Sequence, residues 1–329
     1  MSARRRKPGF PPDADPDSPK TAFRDGSEGE QAGGSFDYVG DELANRPERT
    51  LWGDAWIRLR KNKLAIIGLI WILIVVTLTL SADLWVPQNF ASPTSTEAGS
   101  LEAPSAAHPF GTDRIGRDVF SRVIYGARVS LAVGVLAVGI SLVIGLLMGA
   151  LSGYYGGLVD TLVMRTADIF FAFPYTLFAI ALLAVLGPSY RNVFIAIGIL
   201  GWPSVARVFR SSILSVKENE YVDAARAMGA SDSRIIFRHI MPNAVAPIIV
   251  YGTMSIGGAI IAEAALSFLG MGVQPPTPSW GAMLSEAKAL MVAAPWLTIW
   301  PGFAILTTVL AFVLMGDGLR DALDVKMKD

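Results

Sequence analysis

The sequence predicts an all-α membrane protein whose chain crosses the bilayer six times. Three observations carry that expectation. Charged residues make up 17% of the 329 positions and apolar residues 52%, with a mean hydropathy of +0.45, whereas soluble domains are typically about a quarter charged. Six segments, at 64–86, 129–152, 167–186, 193–208, 244–269 and 296–315, approach the ~20 mostly apolar residues that a helix needs to cross the hydrocarbon core. Lys and Arg also gather on alternate connections between those segments, as cytoplasmic loops do.

Residues 1–50 differ from all that follows. They hold ten acids, from Asp13 to Glu48, and eight bases, with many Pro and Gly and almost no aliphatic run. Such a segment buries too little apolar surface to offset the entropy of ordering, so it is expected to be a disordered, solvated cytoplasmic tail. Arg4, Arg5, Arg6 and Lys7 could meet lipid headgroups or a partner, but no apolar stretch follows them, so this is not a secretory signal.

The first span opens after Arg58, Arg60, Lys61 and Lys63. Between the fourth and fifth lie Arg207, Arg210, Lys217, Arg226, Arg234 and Arg238, and Arg320, Lys326 and Lys328 follow the sixth. The connections at 187–192 and 271–295 carry one base each, Arg191 and Lys288. This pattern places both termini in the cytoplasm. The 87–128 connection conflicts with it, since Arg114, Arg117, Arg122 and Arg128 are only partly offset by Asp113 and Asp118. The expected division is a 1–50 tail, a 51–100 anchor with the first span, a 101–128 external segment, a 129–316 core and a 317–329 cytoplasmic C-terminal tail.

Ser141, Gly145, Gly149 and Gly153 recur every four residues on the second span. Small residues at that spacing form a flat strip on which a neighbouring helix packs closely. Pro174 removes a backbone donor inside the third span and invites a bend, which either shapes a pathway or fits the packing. Ionisable residues in spans are functional candidates. Glu263, in the outer half of the fifth span, either lines a substrate path or gate or bonds a neighbouring helix. Arg165 and Asp168, spaced i, i+3 at the start of the third, read as a structural pair.

The connection at 221–242 carries the most information. Residues 221–228 are good helix formers, and Gly229 suits a left-handed C-terminal cap. Ser231 or Asp232 can cap a second helix starting at Ser233, which Pro242 would close. Tyr221, Ala225 and Met228 share one side at i, i+4, i+7, while Asp223 and Arg226 can pair on another. A short helix with small alanines and an exposed aromatic suits insertion into a partner's groove.

The stretch Asp223-Ala224-Ala225, three residues, Gly229, nine residues, His239-Ile240-Met241-Pro242 resembles the EAA loop of ATP-binding-cassette import permeases. Three positions depart from that pattern: Asp for Glu, His for Ile and Met for Leu. His108 to Arg122, Tyr125 to Leu131, and Glu263 to Gly270 with Pro275-Pro276 resemble the second permease subunit of the dipeptide, oligopeptide and nickel branch. The likeness covers roughly residues 50–320. It implies a type I importer transmembrane fold, with Tyr221, Asp223, Ala224, Ala225, Gly229 and Pro242 forming the coupling loop that docks on an ATPase. It also implies a homologous permease subunit, two ATPase subunits and an extracytoplasmic binding protein as partners, in the inner or plasma membrane. Peptides are the implied cargo, with nickel chelates or another small solute as the alternative.

Other chemistries find little support. With no cysteine, thiolate metal sites and cysteine nucleophiles are excluded. Residues 111–118 superficially resemble a phosphate-binding loop but lack its Lys-Ser/Thr, so ATP and magnesium are expected on partner subunits and no cofactor on this chain. His108 and His239 are the only histidines and no HExxH occurs, which argues against a membrane protease. Zero net charge gives no reason to expect nucleic-acid binding. An independent secondary transporter would be expected to show inverted repeats and charges deep in its spans. No clear repeat and few central charges are present.

Overall fold

A computed structural model describes residues 51–86 and 99–323. The chain divides into two units, Met1–Arg49 and Thr50–Asp329, and the description concerns the second. The expected disordered tail, residues 87–98 of the first external connection, and Lys326 and Lys328 lie outside the described residues.

The described chain is helical but for turns and one isolated bridge between Thr112 and Asp118. Helix α1 (Leu51–Lys61) is followed after one residue by α2 (Lys63–Trp85), whose Ala65 N–H donates to the side chain of Asn62. Helix α3 (Val119–Tyr155) is capped by the Asp118 carboxylate, which accepts from Ser121 N–H. Its 37 residues rise ~55 Å, well beyond the ~30 Å hydrocarbon core. Apolar patterning finds only the part in lipid, which is why the helix starts ten residues before the expected 129. For the same reason the fourth span becomes α6 (Tyr190–Lys217) and the sixth becomes α12 (Trp296–Leu323), each longer than its apolar segment.

The third span is not one helix. α4 (Gly157–Ala172) and α5 (Tyr175–Leu186) meet at 91° across Phe173 and Pro174. Pro174 lacks the N–H that would continue the ladder and pushes Phe173 into extended backbone (φ −100°, ψ 139°). The fifth span, α10 (Ala246–Phe268), and the short α11 (Trp280–Ala287) complete the bundle. Among the described residues five helices are therefore long and apolar enough to cross a membrane, or six if the bent pair counts as one span.

Packing places α6 at the centre and α2 at the edge, the first the most buried and the second the least buried of the long helices. The small-residue strip on α3 packs against α6. A Cβ at Gly149 would lie 2.8 Å from Ala206 O, and one at Gly153 would lie 2.9 Å from Ile213 Cγ2. At Gly145 it would strike Val205. Ser141 Oγ donates to Gly198 O at 2.8 Å, adding a polar tie between the same helices. Side chains here give way to backbone approach, as close membrane packing requires.

Candidate functional site

The connection between α6 and α10 folds into a helical knuckle. α7 (Glu220–Ala227) ends at Gly229, which adopts φ +79°. Ala230 N–H reaches Ala225 O, and Gly229 N–H reaches Arg226 O. These paired bonds close the helix as a Schellman motif and need a residue that tolerates the left-handed region. The chain continues through α8 (Asp232–Arg234), a π turn over Ile235–Ile240, and α9 (Met241–Ala244). Pro242 does not close a helix. It sits in the first turn of α9, where a missing donor costs nothing, and the break falls at Val245.

The burial pattern of α7 differs from the expected grouping. Tyr221 and Met228 are exposed, Met228 by 82%, but Ala225 turns inward with Val222. Both pack in one cluster with Phe209 and Ile213 of α6 and with Ile235, Ile236 and Ile240 of the π turn. Asp223 and Ala224 face outward, and Arg226 pairs with Asp223 at 2.9 Å. A polar strut adds to this seat. Tyr154 OH, at the end of α3, donates to Asp232 at 2.7 Å, while Lys217 Nζ donates to Tyr154 O at 2.6 Å. Beside it, Arg210 of α6 grips Asp160 of α4 through two bonds of 2.5 Å. The knuckle is thus fastened to α3 and α6, so displacing it displaces both.

A cavity of about 480 Å³ opens where α4 bends into α5. Phe170, Phe171, Phe173, Tyr175 and Phe178 come from the bend, and Tyr251 faces them from α10. Serines 141, 204 and 255 supply hydroxyls, and among the described residues no charged side chain lines it. Pro174 sets the bend without lining the cavity, and Glu263 does not line it either. Glu263 is fully buried in a cage of hydroxyls, accepting from Ser267 at 2.7 Å, Ser279 at 2.9 Å and Ser130 at 3.2 Å. Those serines also accept N–H groups from Val273, Ala282 and Trp280. One carboxyl group therefore ties α10 to α3 and to the start of α11.

At the end of α3 opposite the knuckle, three of the four basic residues that conflicted with the expected orientation are paired with acids. Arg117 and Arg122 both bond Asp113, at 2.5 and 2.6 Å, and both bond Glu286 of α11, at 2.7 and 2.8 Å. Arg128 pairs with Asp83 at 3.1 Å. Sequence reading missed Glu286, which stands more than 160 positions from its arginines. Five charged residues crowded into 113–122, three of them arginines, were the available sign that a further partner was needed. Arg165 bonds Asp168 at 3.4 Å, and Asp168 also accepts from Arg207 at 2.5 Å.

With its bent α4–α5 pair, central α6 and strapped loop before α10, the chain has a fold similar to that of solved ABC transporters. The inward-facing MetNI methionine ABC transporter superposes with a TM-score of 0.51 over 61% of this chain and 94% of that one, at 17% identity. An amino acid ABC transporter crystallised with histidines gives 0.50 over the same shares. Residues 141–329 match the binding-protein-dependent transport system inner membrane component model, and residues 50–104 match the N-terminal TM domain of oligopeptide transport permease C. The dipeptide transport system permease protein DppC of Alkalihalophilus pseudofirmus is 48% identical over 84% of this chain and 90% of that protein. The glutathione transport system permease protein GsiD of Pectobacterium atrosepticum is 44% identical over 87% and 95%. The chain belongs to the family of binding-protein-dependent transport system inner membrane components, as an ABC importer permease.

Proposed function

We propose that this chain forms half of the translocation pathway for dipeptides and oligopeptides, and that the 221–242 loop couples it to separate ATPase subunits. The cargo follows from the relatives, which are named for dipeptide and glutathione transport. The coupling role is supported by one observation above all: α7 presents Tyr221, Asp223, Ala224 and Met228 outward from a seat that Val222 and Ala225 lock onto α6. In this reading Tyr221, Asp223 and Ala224 touch the ATPase, Ala225 sets the seat, and Gly229 and the exposed Pro242 shape the two ends of the knuckle. ATP and magnesium are bound by the partners, and this chain carries neither cofactor nor hydrolytic site. A homologous permease subunit supplies the other half of the pathway, and an extracytoplasmic binding protein delivers cargo. Both termini face the cytoplasm. The aromatic cavity at the Pro174 bend is the passage, offering stacking faces and hydroxyls to uncharged backbone, and Glu263 braces its outer end.

The test is uptake of a labelled dipeptide by the complete transporter in vesicles. ATP-driven uptake that Ala224→Glu abolishes, with the chain still inserted, is the expected result. Uptake by this chain alone on an ion gradient, or a normal rate in Ala224→Glu, would overturn the proposal. A nickel chelate taken up in place of the peptide would move the cargo to the alternative class.

A further inference from the structure

Helix α1 has no place in the transport reading, yet its surface is sharply divided. Ala55 and Leu59, one turn apart, are buried against Leu319, Ala322 and Leu323 at the end of α12. Of the other side chains described on this helix, Trp56, Ile57, Arg60 and Lys61 are exposed. Trp56 is 54% exposed and Ile57 42%; the exposed cations Arg60 and Lys61 follow about one turn on, and exposed Lys63 opens α2. These three cations have no hydrogen-bond or ion-pair partner among the described residues.

The position of this face is set by covalent geometry. One residue, Asn62, separates the end of α1 from the first residue of the α2 span, and its extended backbone (φ −81°, ψ 101°) turns the chain between them. Asn62 also bonds Asp321 of α12, at 3.3 Å. The α12 helix has 28 residues, a rise of ~42 Å, so its last turns project beyond the ~30 Å hydrocarbon core. A helix strapped to those last turns and joined to the start of a span lies at the level of the headgroups. An exposed indole and an aliphatic side chain beside several cations are the composition of a helix lying in that layer.

We infer that α1 is an interfacial anchor: its Arg60 and Lys61, with Lys63 at the start of α2, bind anionic headgroups of the cytoplasmic leaflet while Trp56 and Ile57 enter the headgroup–acyl boundary. The inference rests on the inward placement of the N-terminus proposed above. The attraction comes from the leaflet's surface charge, which acts on juxtamembrane bases and falls away within a Debye length.

The sequence contains no cysteine, so single cysteines can be labelled without background. The full chain, with Trp56→Cys, Ile57→Cys or Ser233→Cys, is labelled with a polarity-sensitive fluorophore and reconstituted into vesicles. One set is phosphatidylcholine alone and the other holds equal parts phosphatidylglycerol. In anionic vesicles, labels at 56 and 57 should be quenched by a lipid-borne quencher and several-fold less by iodide than the label at 233. Adding Arg60→Gln, Lys61→Gln and Lys63→Gln should reduce lipid quenching at 56 to its level in phosphatidylcholine. Iodide quenching at 56 and 57 equal to that at 233 overturns the inference. So does shielding that ignores lipid composition and disappears when residues 1–49 are removed, because the tail would then be the occupant. Accessibility of position 233 from outside intact cells would instead sink the orientation, and with it the functional reading.

Discussion

Replacing Glu263 with alanine tests whether that carboxyl group braces the bundle or contacts cargo. Its two oxygens accept three serine hydroxyls within a site of zero exposure. Each hydrogen bond lost from a buried network costs about 1 kcal/mol net, and the orphaned partners add to that. Ser130, Ser267 and Ser279 keep their backbone N–H donors, so the orphaning is partial and the three bonds together come to roughly 3 kcal/mol. The space left by the removed atoms adds a cavity term and brings the expected loss to about 3–5 kcal/mol. Glu263→Gln keeps the shape and one acceptor oxygen, leaving about 1 kcal/mol, since one hydroxyl then faces a donor. The assay is thermal unfolding of the purified chain in detergent, followed by tryptophan emission, alongside uptake in the complete transporter. The expected order of midpoints is wild type, Gln, then Ala, with uptake falling in proportion to folded protein. A wild-type midpoint in Glu263→Ala, combined with a raised KM for cargo, would refute the brace and return Glu263 to the pathway.

Two contrasts of the same kind follow. Gly149→Val places a side chain against the Ala206 carbonyl and Phe209 and should cost about 1–3 kcal/mol. Gly139→Ala meets nothing within 4 Å and should leave the melting midpoint unchanged or slightly raised. Arg122→Ala leaves Asp113 and Glu286 short of a partner in a site where the arginine is 6% exposed, for an expected loss of roughly 3 kcal/mol. Arg128→Ala removes a half-exposed pair with Asp83 and should cost less than about 1 kcal/mol. Unfolding in parallel samples checks both, and equal losses within either pair would contradict the packing described.

The spans were legible because hydrocarbon imposes composition directly, and each expected segment lies largely on one helix or on the bent pair. Their ends were not, because a helix outlasts its apolar stretch wherever caps and ion pairs sustain it, as Asp118 and Arg122 do for α3. Pro174 was visible as a breaker, but the 91° angle depends on packing against α6 and α10 that no local pattern encodes. At the loop, Gly229 announced its left-handed cap through the residue type alone. Helical spacing put Tyr221, Ala225 and Met228 on one side without saying where the burial boundary ran. Val222, at i−3 from Ala225, tips the helix so that the two alanines of the motif face opposite ways. The π turn and the Glu286 bridge were out of reach, since each is fixed by contacts distant in sequence.

The most direct test of the coupling claim uses Met228→Cys, a position 82% exposed in a chain without cysteine. Membrane-impermeant maleimide should label it in inside-out vesicles and not in right-side-out ones, and bound ATPase subunits should protect it. Labelling from the outer face, or a rate unchanged by the ATPases, would contradict the account.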